Sequence, residues 1–259
     1  MLGVERNNFI LATLEEKKAV TVAELAAALA VTEVTVRTLL NHLARQGRLR
    51  RTRGGAVAMS MAGEMDLSHK AQICVRQKKA IASAAYQYIE AHNTVYLDAG
   101  TTTLELAKKI KNGAKRRLTV VTNALNIATE LLAEAADMTV ILTGGELRGG
   151  VVSCVGAIAE QALSLLHFDK AFLGANHVSR RFGAGTPNLQ EASVKRGAVE
   201  AAEKSYLLCD AGKFSGSSTA RICPLTAFAA IITDDGLDAK TRAEFQAAQL
   251  PLVIAPTGN

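Results

Sequence analysis

The chain is 259 residues long, 49% hydrophobic, without tryptophan, and carries a formal net charge of +6. That length allows a small domain joined to a larger one, or one large domain, and the apolar content is ample for a core. No run is long enough to cross a bilayer, Met1 to Phe9 lacks a signal-peptide core, and Cys74, Cys154, Cys209 and Cys223 show no CxxC spacing, which points to buried thiols in a reducing cytoplasm and to no membrane.

The charge is unevenly placed. Between Glu33 and Glu64 there is no acidic residue, whereas Arg37, Arg45, Arg48, Arg50, Arg51 and Arg53 fall there. An unbalanced basic cluster in a compact segment selects a polyanion, nucleic acid above all. From the start of the chain, Val4, Phe9, Ile10 and Leu14 recur at helical spacing, and a charged run over 15–18 breaks the pattern. Thr21-Val-Ala-Glu24 is a capping box that starts a helix over 22–29. Val31-Thr32 is a turn, Thr32 caps a third helix running to Gln46, and Gly47 stops it. Two short helices about a tight turn form a helix-turn-helix.

In that motif the N-terminal part of the second helix meets base edges: here Glu33, Thr35, Arg37 and Thr38, with Thr21 and Thr32 at the two helix starts. Leu39, Leu40 and Leu43 form its core-facing stripe. Leu49 to Arg53 reads as a strand, Gly54-Gly55 as a turn and Ala56 to Ala58 as the return. This is a two-stranded wing, and Arg48, Arg50, Arg51 and Arg53 would lie along phosphates.

Residues 1–57 are thus a DNA-binding domain, 58–77 a linker that becomes helical towards Lys78, and 78–259 a second, larger domain. After an amphipathic helix from Lys79, strand-like runs at 95–97, 118–121, 139–142, 171–174, 206–209, 229–233 and 252–254 alternate with helix-like runs at 104–110, 124–135, 157–166, 190–202 and 241–248. Short Val/Ile/Leu strands alternating with helices predict a Rossmann-like, largely parallel sheet covered on both faces.

Ligands of such sheets sit at the carboxyl ends of the strands, and the polar signals cluster there. Asp98-Ala-Gly-Thr-Thr-Thr103, between a strand and a helix, is an anion cradle: Gly100 admits close approach, Thr101, Thr102 and Thr103 add hydroxyls, and helix amides point at the turn. Thr122-Asn123, Thr143-Gly144-Gly145, Gly174-Ala-Asn176 and Asp210-Ala-Gly-Lys213 end four further strands. Glu191 and Lys195, four apart, share one helix face. A phosphate on residues 100–103 with Lys213 as counter-charge, and hydroxyls on Asp98, Asn123, Asn176 and Glu191, is the expected arrangement. An enzyme is the alternative, because Asp98, Glu191 and Lys213 in one cleft would suit aldose–ketose isomerisation of a sugar phosphate. An isomerase has no use for a helix-turn-helix. Gly183-Ala-Gly185 lacks the third glycine of a dinucleotide fingerprint, and no His or Cys spacing suggests a metal, so neither cofactor nor metal is expected.

Arg6 to Ala56 resembles the DNA-binding domain of DeoR-family transcriptional regulators. The resemblance is carried by Val22-Ala-Glu-Leu-Ala26, Val34-Thr-Val-Arg37, Leu40, Leu43, Gly47 and Arg51-Thr-Arg-Gly-Gly-Ala56. Thr38-Leu39 departs from the basic residue and Asp usual there, and Thr32 and Arg53 stand where Ser and His are frequent. Residues 78–254 resemble the effector domain of the same family, through Asp98-x-Gly-Thr-Thr-Thr103, Thr122-Asn123, Gly144-Gly145 with Leu147-Arg148, Phe168-Asp-Lys-Ala-Phe-Leu-Gly174, Glu191-Ala192 and Asp210-x-x-Lys213-Phe214. Asn176 replaces a frequent Asp, and Ala211-Gly212 a pair of Ser. The resemblance implies a small α+β winged helix-turn-helix domain followed by a larger α/β domain similar to ribose-5-phosphate isomerase. It also implies a repressor of a carbohydrate operon, acting as a homodimer or homotetramer on double-stranded DNA and released by a phosphorylated sugar.

Overall fold

A computed structural model describes residues 3–45, 48–52, 54–58, 67–132 and 137–258. The chain divides into two compact units, residues 1–64 and 65–259.

The first unit is built from α1 (Gly3–Lys17), β1 (Ala19–Thr21), α2 (Val22–Leu29), α3 (Glu33–Arg45), β2 (Leu49–Thr52) and β3 (Gly55–Ala58). The capping box forms: Glu24 N–H donates to Thr21 Oγ1 at 3.1 Å, and Thr21 N–H donates to Glu24 Oε2 at 2.8 Å. Ala30 closes α2 in the left-handed region at φ +50°, and α3 starts at once, with Thr35 N–H donating to Thr32 Oγ1. Ile10, Leu14, Leu25, Val36, Leu40, Leu43 and Leu49 share one buried core, and Leu39 packs against its edge. Gln46, Gly47 and Arg53 lie outside the described residues. The wing has three strands rather than two, in the antiparallel order β1-β3-β2. Three residues are too few to display a period, so β1 does not show in the sequence. Gly54 sits at φ +107°, and a Cβ on Gly55 would overlap the Val20 carbonyl oxygen.

In the second unit α4 (Leu67–Gln72) and α5 (Val75–Tyr86) come first, so helix replaces part of the expected linker. Cys74, between them, is exposed rather than buried, at φ +53°. There follow β4 (Thr94–Leu97), α6 (Thr101–Lys111), β5 (Leu118–Thr122), α7 (Leu125–Leu132), β6 (Met138–Leu142), β7 (Glu146–Arg148), β8 (Ser153–Val155), α8 (Ala157–Ser164) and β9 (Phe168–Gly174). Then come β10 (His177–Ser179), β11 (Gly183–Thr186), α9 (Leu189–Glu200), β12 (Ala202–Leu208), β13 (Ala220–Cys223), β14 (Ala230–Asp234), α10 (Ala239–Ala247) and β15 (Leu252–Ala255). Seven strands form one parallel sheet in the order β15-β14-β12-β9-β4-β5-β6.

Successive strand residues enter opposite cores. Val95, Leu97, Val120, Phe172, Tyr206 and Ile232 pack with α5, α6 and α7. Tyr96, Val121, Leu173, Leu207 and Ile231 pack with α8, α9 and Phe245 of α10. Burial on both faces is why these strands read as unbroken apolar runs. The β7-β8 hairpin and the antiparallel sheet β10-β11-β13 have no counterpart in the sequence reading. Gly183 and Gly185 are spent on the latter: side chains there would strike the Cys223 carbonyl and the Phe182 ring.

Candidate functional site

The chain leaves β4 for β5 on one side of the sheet and later returns with β9 on the other. The β4–β9 boundary is therefore a topological switch point, the place beyond the carboxyl ends of the strands where sheets of this kind bind their ligands. Asp98 follows β4 and Gly174 ends β9, and Gly174 N–H donates to Asp98 Oδ2 at 2.9 Å. Lys195 of α9 donates to the same oxygen, and the pair is sealed, with 6% and 1% of the two side chains exposed. Asp98 Oδ1 is buried and has no hydrogen-bond partner among the described residues.

Beside it, α6 begins one turn earlier than its apolar residues indicate. Thr101, Thr102 and Thr103 are its first three residues, and no side chain caps it. Leu104 N–H is the first to bond back, to the Gly100 carbonyl. The amides of 101–103 are thus the donors that helix formation leaves over, and no acidic residue occupies the first turn. Gly100 is extended, at φ 171°, so its backbone does not demand glycine. A Cβ there would lie 3.1 Å from Thr103 Oγ1, which is what crowds the position. The Thr103 hydroxyl donates to the Gly100 carbonyl.

The expected hydroxyl ligands divide into two kinds. Asn123 is a brace: its Oδ1 accepts from Tyr96 Oη and from Ala99 N–H, each at 3.0 Å, and its Nδ2 donates to the Cys154 carbonyl. Thr122 likewise donates to the Leu97 carbonyl and accepts from Ala124 N–H. Both hold the β4–α6 turn in place. Glu191 is engaged at both oxygens, by Arg148 from the β7-β8 hairpin and by Thr186 Oγ1 at 3.0 Å. It is a tie between segments rather than a free general base. Gly144 and Gly145 turn the chain from β6 into that hairpin at φ +73° and +117°. Asn176 is half-buried, and its backbone N–H donates to the Gly185 carbonyl.

Asp210 accepts from Gly212 N–H at 3.1 Å and caps a 3-10 turn over Ala211–Phe214, which holds Lys213 half-buried at the end of β12. Lys78 of α5, which the sequence gives no role at the site, is buried nearby and donates to the Lys70 and Ile73 carbonyls. Burial pushes its ammonium below the ordinary lysine value, Asp210 opposes the shift and Lys213 adds to it. A lysine in the first turn of an amphipathic helix carries no period signal, so only the packing reveals it. Arg148 and Thr186 were likewise not assigned to the site.

In the first unit, Thr32, Glu33, Arg37, Thr38 and Arg48 are exposed, and Thr35 is half-buried. Arg37 Nη2 pairs with Glu33 Oε2 at 2.6 Å. Thr21 is exposed, but its hydroxyl both accepts from and donates to Glu24, leaving it a cap. Arg51 Nη1 donates to the Gly55 carbonyl at 2.6 Å and braces the wing from within. The side chains of Arg45 and Arg50, and Arg53 entirely, lie outside the described residues.

Residues 6–62 match the DeoR-like helix-turn-helix domain, and residues 73–235 the DeoR C terminal sensor domain. The HTH-type transcriptional regulator YgbI of Escherichia coli K12 is 36% identical over 98% of this chain and 99% of its own length. The lactose phosphotransferase system repressor of Staphylococcus epidermidis is 30% identical over 93% of this chain and 96% of its own. A solved ribose 5-phosphate isomerase A from Neisseria gonorrhoeae is similar only distantly, with a TM-score of 0.39 and 13% identity over 54% of this chain and 53% of that one. The relatives that resemble the chain from one domain through the other are regulators and not enzymes, which sets the isomerase alternative aside. The chain belongs to the DeoR family of transcriptional regulators.

Proposed function

We propose that this regulator represses a carbohydrate-metabolism operon and is released from its operator by a phosphorylated sugar bound at the β4–β9 switch point. The observation that carries the reading is the pairing of two unmet demands in one place. The α6 N-terminus offers uncapped amides, suited to phosphate. Asp98 Oδ1 is an acceptor that the described residues leave without a donor, suited to a hydroxyl. Lys213 supplies the counter-charge, while the Asp98–Lys195 and Arg148–Glu191 pairs hold the walls. The lactose-system repressor among the relatives is consistent with a sugar-derived signal.

On the DNA side, α3 enters the major groove, and Arg48 lies along phosphates. Repeated half-sites require at least a homodimer, with a homotetramer the larger form, acting in the cytoplasm. The effector favours a subunit arrangement that mismatches the half-sites.

A thermal-shift screen against phosphorylated and unphosphorylated sugars tests this. A specific ligand at about 100-fold its Kd stabilises by roughly 2.7 kcal/mol. Stabilisation confined to phosphorylated sugars, and lost in Lys213→Met while operator binding persists, is the expected result. Equal stabilisation without the phosphate, or a full response in Lys213→Met, overturns the assignment.

A further inference from the structure

Helix α3 presents an exposed surface made of Thr32, Glu33, Val34, Arg37, Thr38, Asn41 and His42. Most of its polar groups near the N-terminus are already engaged with one another. The Thr32 and Thr35 hydroxyls lie 3.0 Å apart and bond to each other. Glu33 holds Arg37. The Thr38 hydroxyl donates back to the Val34 carbonyl at 3.0 Å, so it is turned onto the helix backbone. Val34 has no polar group to offer, and 68% of it is exposed. Among the described residues of the N-terminal unit, it is the large hydrophobic side chain left in solvent, while Ile10, Leu14, Leu25, Val36, Leu40, Leu43 and Leu49 are buried. Residues four apart on a helix are neighbours, so Val34 and Thr38 form one patch whose O–H donor is spent on the helix backbone.

This patch lies on the first turns of the helix that docks in the major groove, and the inference rests on that docking. Base-pair edges in the groove present donors and acceptors, with one apolar group among them, the 5-methyl of thymine. We infer that Val34, flanked by Thr38, is a specificity-determining residue that reads the methyl group of a thymine in each operator half-site. Arg37, three residues beyond Val34 and held by Glu33, reads a hydrogen-bonding edge beside it. A valine here selects for thymine because no other base presents a methyl group for it to cover.

The test uses the full chain and a duplex selected from a random-sequence pool. Each thymine of the selected half-site is replaced by uracil in turn, which removes the methyl and keeps the pairing. Affinity is measured by fluorescence anisotropy at one salt concentration. At one thymine, uracil weakens the wild type and Val34→Ile by about fourfold per half-site, the worth of one buried methyl, and leaves Val34→Ser unchanged. Because Val34 is exposed, Val34→Ser keeps the fold, and retained selection of the remaining half-site positions confirms it. Uracil tolerated at every position, or the same loss in Val34→Ser, overturns the inference and leaves DNA binding standing. Failure to select any sequence overturns the docking of α3 with it.

Discussion

Replacing Lys195 by methionine removes one member of a buried ion pair and leaves the other in place. Lys195 and Asp98 are 6% and 1% exposed, so solvent offers no compensation. Breaking such a pair costs about 3–5 kcal/mol, and the low end applies because Gly174 N–H still donates to Asp98 Oδ2. The variant is therefore destabilised by about 3 kcal/mol.

Urea unfolding followed by tyrosine fluorescence reads this in the sensor unit alone. The chain has no tryptophan, and Tyr86, Tyr88, Tyr96 and Tyr206 all lie there. Asp98→Asn combined with Lys195→Met removes both charges and keeps an acceptor for Gly174, so it is more stable than Lys195→Met by itself. A loss below about 1 kcal/mol, or simple additivity in the double variant, would refute a buried, coupled pair.

The glycines after β6 separate strain from overlap. Gly144→Ala, at φ +73° with open space around it, costs about 1 kcal/mol, whereas Gly145→Ala, at φ +117° with its Cβ 2.7 Å from the Val155 carbonyl oxygen, costs about 3 kcal/mol. Equal losses in urea would mean that contact with β8 does not decide the second. Ala30→Gly relieves a left-handed alanine and stabilises the N-terminal unit by about 1 kcal/mol, read as slower amide exchange at Val36 and Leu40. The amide and hydroxyl of Thr21 hold the Glu24 carboxyl below its ordinary value of 4.5. Its contribution is complete above that value and is lost as pH falls through the lower folded one, so wild type and Glu24→Gln differ at neutral pH and converge in acid. Exchange profiles that run parallel across the range would remove Glu24 from the cap.

Where chemistry is local, the residues announce the structure. The capping box at Thr21–Glu24 needs only four consecutive residues, and it forms as read. The apolar runs Val95–Leu97, Leu118–Val121 and Leu252–Ile254 locate strands because burial on both faces leaves no alternation to obscure them. The same runs set polar residues at the strand ends, which is why Asp98, Thr122, Gly174 and Asp210 were legible as one end of a sheet. What each side chain does there was not legible, because it depends on partners distant in the chain. Asp98 meets Lys195 across 97 positions, Arg148 reaches Glu191 across 43, and Asn123 is consumed by Tyr96, Ala99 and Cys154.

Short elements escaped for a related reason. β1, β7, β8 and β10 are three residues each, too short for a period, and exist because a neighbouring strand supplies their hydrogen bonds. Lys78 is buried only because α4 folds back to offer it carbonyls. The sequence by itself therefore determined the family, the two-domain order and the end of the sheet where polar groups gather, all of which follow from contiguous residues. Tertiary structure alone decided which of those groups are tied to one another and which, like Asp98 Oδ1 and the amides of 101–103, are left without a partner among the described residues. Hydrogen bonds saturate, and that saturation is settled only when distant segments meet.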